Sequence, residues 1–487
     1  MSQEIRNLEP KVLWNKFADL NAVPRPSKKE ERVIEFMKNF GKNLGLETFE
    51  DEIRNVIIRK PATPGMENRK AIVMQGHLDM VHQKNGDTIF DFDTQGIDMY
   101  VDEDWVRARG TTLGADNGLG VAAIMAVLES TDIPHPAIEA LFTIDEETGM
   151  TGALNLKGGI LQGQILLNLD TEEDDEIDIG CAGGIDVTAT AEYDEEETPE
   201  ASVGYKITVK GLKGGHSGMD IHKGLGNANK IMNRLLFDGF DNFGLQISKI
   251  EGGSLRNAIP RESVATVVIA EVYDEAFVFD MQQIVNDIKT ELKTTEPNLE
   301  VVFEKLKATP AKVMPSIAQF YFVRAMYAAH NGVYAMSADF ADLVETSNNI
   351  AKVVLGDGNL TVQCLTRSSV ETAKFDLANG LRSAFELMGC EVEFSGSYPG
   401  WTPNAESEIL DVLVPIYEKQ NGAKPSVVAC HAGLECGILG TNYPEMDMIS
   451  FGPTIHGAHS PDERASISSS QKFWKFLVEI LANIPLK

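Results

Sequence analysis

The chain has 487 residues, 73 acidic against 43 basic side chains, a formal net charge of −30 and 43% hydrophobic residues. This is the composition of a folded protein of two or three domains, and the charge excludes nucleic acid and anionic membrane surfaces as partners, because both would repel it. The five scattered cysteines (Cys181, Cys364, Cys390, Cys430, Cys436) lack a CxxC pair, and no apolar run approaches membrane length, so the expectation is a cytoplasmic protein with reduced, mostly buried thiols.

The first third alternates helical patterns with short apolar runs, the rhythm of a mixed or parallel sheet flanked by helices. Helices are expected at Asn7 to Ala18, Lys28 to Leu44 and Gly118 to Leu128, and buried strands at Ala71 to Met74, Ile138 to Ile144 and Gln164 to Leu169. Two acidic runs, Glu172 to Asp178 and Asp194 to Glu197, read as solvated turns. After Gly180-Cys181-Ala182-Gly183-Gly184 the pattern changes to period-two strands, clearest at Tyr205 to Val209 and Ser263 to Val272. Leu225, Ala228, Ile231, Met232 and Leu235 share one helical face, and Phe279, Ile284, Ile288 and Leu292 another. A hairpin is expected around Gly356-Asp357-Gly358, then a helix from Val370 to Met388 and a strand from Glu391 to Phe394. The helix–strand rhythm returns after Gly396 to Gly400, with strands at Val427 to Ala429 and Met446 to Phe451. The expected class is α/β: a mixed-sheet catalytic domain (1–184 and 397–487) carrying an inserted α+β domain (185–396). No internal repeat is visible.

Polar residues follow the apolar strands of the first part: His77 with Asp79, the pair Glu146-Glu147, and Asp170. The carboxyl ends of strands in an open α/β sheet form the crevice where ligands bind. Asp116 lies in a turn leading into a helix, and His459 in a Gly-rich loop after the strand ending at Phe451. Two imidazoles and three carboxylates suit zinc or a similar divalent ion, with a carboxylate able to bridge two ions. Each residue also has a bland reading: His77 as a structural hydrogen-bonder, Asp116 as a helix N-cap, Glu146-Glu147 as a solvated turn. Asp79 shares a face with His77 and can hold its ring, while one of the adjacent glutamates can ligate and the other take a proton. A phosphate loop at Gly114, Gly118 and Gly120 is disfavoured by the absence of a Lys-Ser/Thr signature and by Asp116. No GxSxG elbow supports serine catalysis.

Taken together, these segments resemble a known family. Gly76-His77-Leu78-Asp79, Thr111 to Gly118, Asp145-Glu146-Glu147-Thr148-Gly149 and Asn168-Leu169-Asp170 are similar to the metal-site motifs of cocatalytic zinc peptidases, the family of carnosinases, aminoacylases and carboxypeptidase G. Gly215-His216-Ser217-Gly218, Asn257 to Glu262, His431 to Gly437 and His459 to Glu463 narrow the likeness to its bacterial branch acting on aminoacyl-histidine (Xaa-His) dipeptides.

The resemblance implies two divalent metal ions, zinc with cobalt or manganese as alternatives. His77 and Asp170 would hold one, Glu147 and His459 the other, with Asp116 bridging them across a cis Asp116–Asn117 peptide. His456 is the rival to His459 in the same loop. Asp79 would steady His77, and Glu146 would be the general base toward a metal-bridging water. His216, on the insertion, would reach the scissile carbonyl. Asn257 and Arg367 would contact the substrate carboxylate, and Gly433 and Glu435 the substrate's ends. His82, His135, His222 and His330 are left structural or exposed. The implied partners are a small peptide substrate and a second copy paired through the insertion as a homodimer. The Gly-rich junctions, Gly180 to Gly184 and Gly396 to Gly400, are expected to be hinges on which the insertion moves as a rigid body against the catalytic halves. An N-acyl amino acid amidohydrolase, a broader di/tripeptidase and a catalytically silent metal-binding protein are the alternative functions.

Overall fold

The computed structural model describes residues 3–404 and 406–487. The chain divides into two compact units, one running to Gly180 and including Pro403–Ala429 and Leu434–Lys487, the other Cys181–Thr402 with Cys430–Gly433.

The first unit is built on a mixed eight-stranded sheet in the order Glu47–Glu50, Val56–Lys60, Ile138–Thr143, Ile72–His77, Ile165–Asn168, Asp447–Ser450, Glu176–Cys181, Ser426–Cys430. The four central strands are parallel. Three of these, Ile138–Thr143, Ile72–His77 and Ile165–Asn168, are buried along their whole length, which is why they read as unbroken apolar runs without alternation. The helix Ala115–Glu129 is buried on almost every side, so its sequence carries no amphipathic stripe. Its glycines serve close packing: a Cβ on Gly120 would stand 2.3 Å from the Leu169 carbonyl oxygen. The helix expected at Asn7–Ala18 runs instead over Lys11–Leu20, after a separate turn of helix at Gln3–Arg6, because Pro10 takes its N-cap and disfavours helix in the residue before it. A separate four-stranded sheet, Ile455–His456, Arg464–Ser466, Trp105–Ala108 and Met99–Asp102, has strands too short to announce themselves in the sequence.

The second unit holds a nine-stranded antiparallel sheet with a two-fold plan. Its order along the main path is Glu300–Lys305, Ser202–Lys210, Ser263–Ala270, Gln246–Gly252, Val344–Gly356, Asn359–Ser368, Gly183–Glu192, Glu391–Tyr398. The first four strands, with helices Ala228–Phe243 and Asp274–Glu291, form a β-α-β-β-α-β half. The last four repeat the same order with helices Ser316–Ala328 and Glu371–Glu386. The equivalent strands Gln246–Gly252 and Val344–Gly356 pair antiparallel at the seam. An internal repeat is therefore present in topology, although none is visible in the sequence.

Several expectations change here. Gly183 and Gly184 belong to a sheet strand, paired with Ser368 and Arg367, and a Cβ on Gly184 would stand 2.7 Å from the Tyr398 ring. The pair permits close approach, and the first unit runs to Gly180 where 184 was expected. At the other junction the strand runs through 396 to Tyr398, and the unit extends to Thr402. The strand from Ser263 ends at Ala270, where a 3-10 turn begins. In the helix Asp274–Glu291 the buried face is Phe277, Met281, Val285 and Ile288, while Phe279 is 67% exposed. The hairpin at Asp357-Gly358 is as read, with φ of 52° and 75° matching the two left-handed positions of a tight turn. The run Glu172 to Asp178 is not a solvated turn: Glu176–Cys181 is a sheet strand and Asp178 is 5% exposed. All five cysteines are free thiols, four of them buried.

Candidate active site

The carboxyl ends of the parallel strands deliver the site of the first unit. His77 is the last residue of its strand, Glu146 and Glu147 begin a short helix just beyond Thr143, and Asp170 follows Asn168 by two residues. The His77 Nε2 lies 3.2 Å from Asp116 Oδ1 and 3.5 Å from Asp170 Oδ1. The His459 Nε2 lies 3.1 Å from Asp116 Oδ2 and 2.9 Å from Glu147 Oε2. Thus His77, Asp116 and Asp170 form one group with the spacing of metal ligands, Asp116, Glu147 and His459 a second, and His77, Glu146 and Glu147 a third. Asp116 is common to the first two. Its peptide bond to Asn117 is cis, and its two oxygens face different imidazoles. His456 is in none of these groups: it sits 5.1 Å from the Trp105 ring and 3.5 Å from Glu173.

The surrounding residues hold this geometry. Asp79 is fully buried and accepts from the backbone N–H groups of Glu146 (3.0 Å) and Glu147 (3.3 Å) and from the Ser27 hydroxyl (2.8 Å). His77 Nδ1 lies 3.2 Å from the Asp79 main-chain carbonyl and 3.5 Å from its Oδ1, so this one residue orients both the imidazole and the glutamate loop. That loop is further tied by Asp145, which accepts from Lys28, Thr148 and Thr151. Two anchors had no assigned role in the sequence reading. Glu463, 2% exposed, accepts from the backbone N–H groups of Leu113, Gly114, Ala115 and Asp116 at 2.7–3.3 Å and so fixes the turn that presents Asp116. Arg25, fully buried, donates to the carbonyls of Leu78, Asp79 and Gly114, joining that turn to the strand exit. The Ser-x-x-Glu spacing after His459 was the signal for Glu463; nothing local marks Arg25.

Charge is crowded here. Burial pushes Glu146 well above the usual carboxylate range, Glu172 to about 8 and Glu463 to about 7, in each case with neighbouring carboxylates adding to the effect. Burial opposes ionisation of Asp116, but His459 and His77 hold it below its ordinary value. His459 is raised to about 11 by its hydrogen bonds to Asp116 and Glu147. So many carboxylates around two imidazoles, with the buried Asp170 Oδ1 making no hydrogen bond among the described residues, fit a site for divalent cations.

Glu435 departs from expectation. It is fully buried in the first unit, accepting from Gln75 Nε2 (2.6 Å) and Thr143 Oγ1 (2.7 Å), and has no surface to offer a substrate.

The other candidates lie in the second unit. His216 Nδ1 accepts from the backbone N–H groups of Gly218 (3.2 Å) and Met219 (3.1 Å), which leaves the ring hydrogen of the neutral imidazole on Nε2. Burial and the Arg367 charge lower His216 to about 4. Arg367 is 5% exposed, with Nη1 donating to Tyr398 Oη (2.9 Å) and Nε 3.5 Å from Ser217 Oγ; among the described residues no carboxylate pairs with it. Asn257 is exposed and its carbonyl accepts from Ser217 N (2.8 Å). Gly433 is half-buried, two residues from His431, whose Nε2 stands 2.8 Å from Ser347 Oγ. Burial, then Arg367, lowers His431 to about 3; its sequence motif had been noticed but no role given to it.

Residues 73–483 match Peptidase family M20/M25/M40. The chain is 43% identical to a cytosol non-specific dipeptidase of Escherichia coli over 99% of its length and all of that protein's. The crystal structure of an aminoacylhistidine dipeptidase from Vibrio alginolyticus superposes with a TM-score of 0.93 at 45% identity, covering 100% of this chain and 99% of that one. An aminopeptidase PepT from Bacillus cereus shares the fold at 16% identity, with a TM-score of 0.57 over 98% of this chain and 99% of that one.

Proposed function

This chain belongs to peptidase family M20/M25/M40, and from that premise we propose that it is a metal-dependent dipeptidase acting on Xaa-His and related unblocked dipeptides. The observation that carries the reading is Asp116, whose two oxygens face two different imidazoles, each with a further carboxylate beside it. His77 and Asp170 would hold one zinc ion, Glu147 and His459 the other, and Asp116 both, with cobalt or manganese as substitutes. When bound, the two ions supply the positive charge that polarises a water molecule and the scissile carbonyl.

The chain's own groups do the rest. Glu146, raised by burial and outside the two groups that share Asp116, accepts the proton of the attacking water and returns it to the departing nitrogen. His216 is neutral near pH 7 and presents Nε2–H, a donor suited to the oxyanion. Arg367 is a buried cation without an ionic partner among the described residues, which supports its assignment to the substrate carboxylate, with Asn257 and Gly433 beside it in role. Free-carboxylate recognition favours exopeptidase over endopeptidase cleavage. A cytosolic location belongs to the same reading, since the relative from Escherichia coli carries that name and, among the described residues, no helix is long and apolar enough to cross a membrane. So does pairing of two copies through the second unit, supported by Ile317, Phe320, Tyr321 and Tyr327 exposed along one helix; light scattering tests it.

The deciding experiment is metal analysis of the purified protein joined to a substrate panel. Two divalent ions per chain and hydrolysis of Xaa-His and other unblocked dipeptides are expected. Turnover confined to N-acyl amino acids, or the absence of bound divalent metal with no activity on adding it, would overturn the reading.

A further inference from the structure

A buried hydrogen-bonded ladder crosses the sheet directly behind the site residues. Asn168 Nδ2 donates to Gln75 Oε1 (2.6 Å), and Gln75 Nε2 donates to Glu435 Oε2 (2.6 Å). Thr143 Oγ1 donates to the same Glu435 oxygen (2.7 Å) while standing 3.2 Å from Gln75 Nε2. Beyond Asn168 the Ser450 hydroxyl continues the ladder onto the fourth parallel strand. Gln75, Thr143, Glu435, Asn168 and Ser450 are all fully buried. The Gln75 amide and the Thr143 hydroxyl both donate to one carboxylate and the Asn168 amide donates to Gln75 behind it, so Glu435 is the terminus that fixes the orientation of the whole row.

The row is placed where it can matter. Gln75 precedes His77 by two residues on its strand, Asn168 precedes Asp170 by two, and Thr143 precedes Glu146 by three. Gln75 and Asn168 are also register partners, as are His77 and Thr143. Glu435 comes from a different element, the start of the helix Glu435–Asn442, and is not itself among the metal-spaced groups.

Resting on the reading above, we infer that Glu435 is a positioning residue: by terminating the Asn168–Gln75–Thr143 ladder it locks the strand ends that present His77, Glu146–Glu147 and Asp170 at the spacing two cations require. Glutamine satisfies this role, since its carbonyl can receive both donors. Its amide would then take the place of Oε1, which has no hydrogen-bond partner among the described residues. Alanine does not, and leaves two buried donors without an acceptor.

The test uses the whole protein, stripped of metal and titrated with zinc alone by calorimetry, alongside steady-state kinetics and circular dichroism. Glu435→Ala should weaken zinc binding by about 10-fold or more, the scale seen when groups orienting metal ligands are removed. It should lower kcat more than it raises KM, while Glu435→Gln stays within about threefold of wild type in both, the scatter allowed for a retained acceptor. Thr143→Val, which removes one donor at constant shape, should show a smaller loss in the same direction, and it serves if the alanine variant does not fold. A folded Glu435→Ala, or failing that Thr143→Val, with wild-type zinc affinity and kcat overturns the inference while leaving the dipeptidase reading intact. A glutamine variant as impaired as alanine also overturns it. Wild-type protein that takes up no zinc removes the dipeptidase reading and this inference with it.

Discussion

The two units treat histidine in opposite ways. In the first, His77 and His459 stand among carboxylates: burial opposes the charge on His77, yet Asp170, Asp116 and Asp79 carry it well above the usual value, and Asp116 and Glu147 raise His459 to about 11. In the second, burial and the neighbouring Arg367 drive His216 to about 4 and His431 to about 3. The lesson is one of complementary ligands. A ring of surplus negative charge is completed by cations, whereas neutral imidazoles beside an unpaired guanidinium are completed by an anion and by hydrogen-bond acceptors.

The comparison breaks most completely at Asp116. Asp116→Ala removes the carboxylate shared by both metal-spaced groups and should abolish binding of divalent cations at both and all measurable turnover; retention of two tightly held ions would disprove the sharing. Glu146→Gln should leave metal content near normal and lower kcat by about 100-fold or more, the scale of a lost general base. Near wild-type activity in that metal-loaded variant would remove Glu146 from its role. His216→Ala should also keep its metal and fold, losing about 100- to 1000-fold in kcat, as expected for one oxyanion donor; an effect on KM alone would reassign it to substrate binding.

The smallest effect concerns pH. His431 binds its proton more weakly in the folded protein than the ordinary value of 6.5, so below that pH the unfolded chain takes up a proton that the folded chain refuses. The folded state therefore loses stability as pH falls from about 6.5 toward about 3. Comparing Tm against pH for wild type and His431→Gln should show a shallower acid slope in the variant, and identical slopes would refute the assignment.

The metal-spaced residues were legible because their signal is local: an apolar strand followed at once by His77, Glu146–Glu147 or Asp170. The mixed sheet was legible for the same reason, and the Asp357-Gly358 hairpin from its turn residues. What the sequence concealed depends on burial of charge by distant segments. Glu172 reads as one more acid in a solvated run until burial and Asp116 are seen to act on it. Arg25 and Glu435 are ordinary charged residues whose partners lie far along the chain. The glycines at 183 and 184 look flexible until the main chain of Tyr398 to Gly400 is found against the first and the Tyr398 ring against the second.

The two-fold plan of the second unit has a consequence for how the chain acquires its shape. One half is continuous, from Ser202 to Lys305, and sits inside the other, whose first strand, Gly183–Glu192, is separated from its partner Asn359–Ser368 by the entire inner half. Closing so long a loop costs entropy that short-range pairings do not, and synthesis also completes the inner half before the outer one. Backbone amides of Ser202–Lys210 and Ser263–Ala270 should therefore gain protection in pulsed hydrogen exchange before those of Gly183–Glu192. The assembled inner sheet then exposes Gln246–Gly252 as a ready template on which the outer half zips, so the seam is the row of hydrogen bonds from which the rest is propagated.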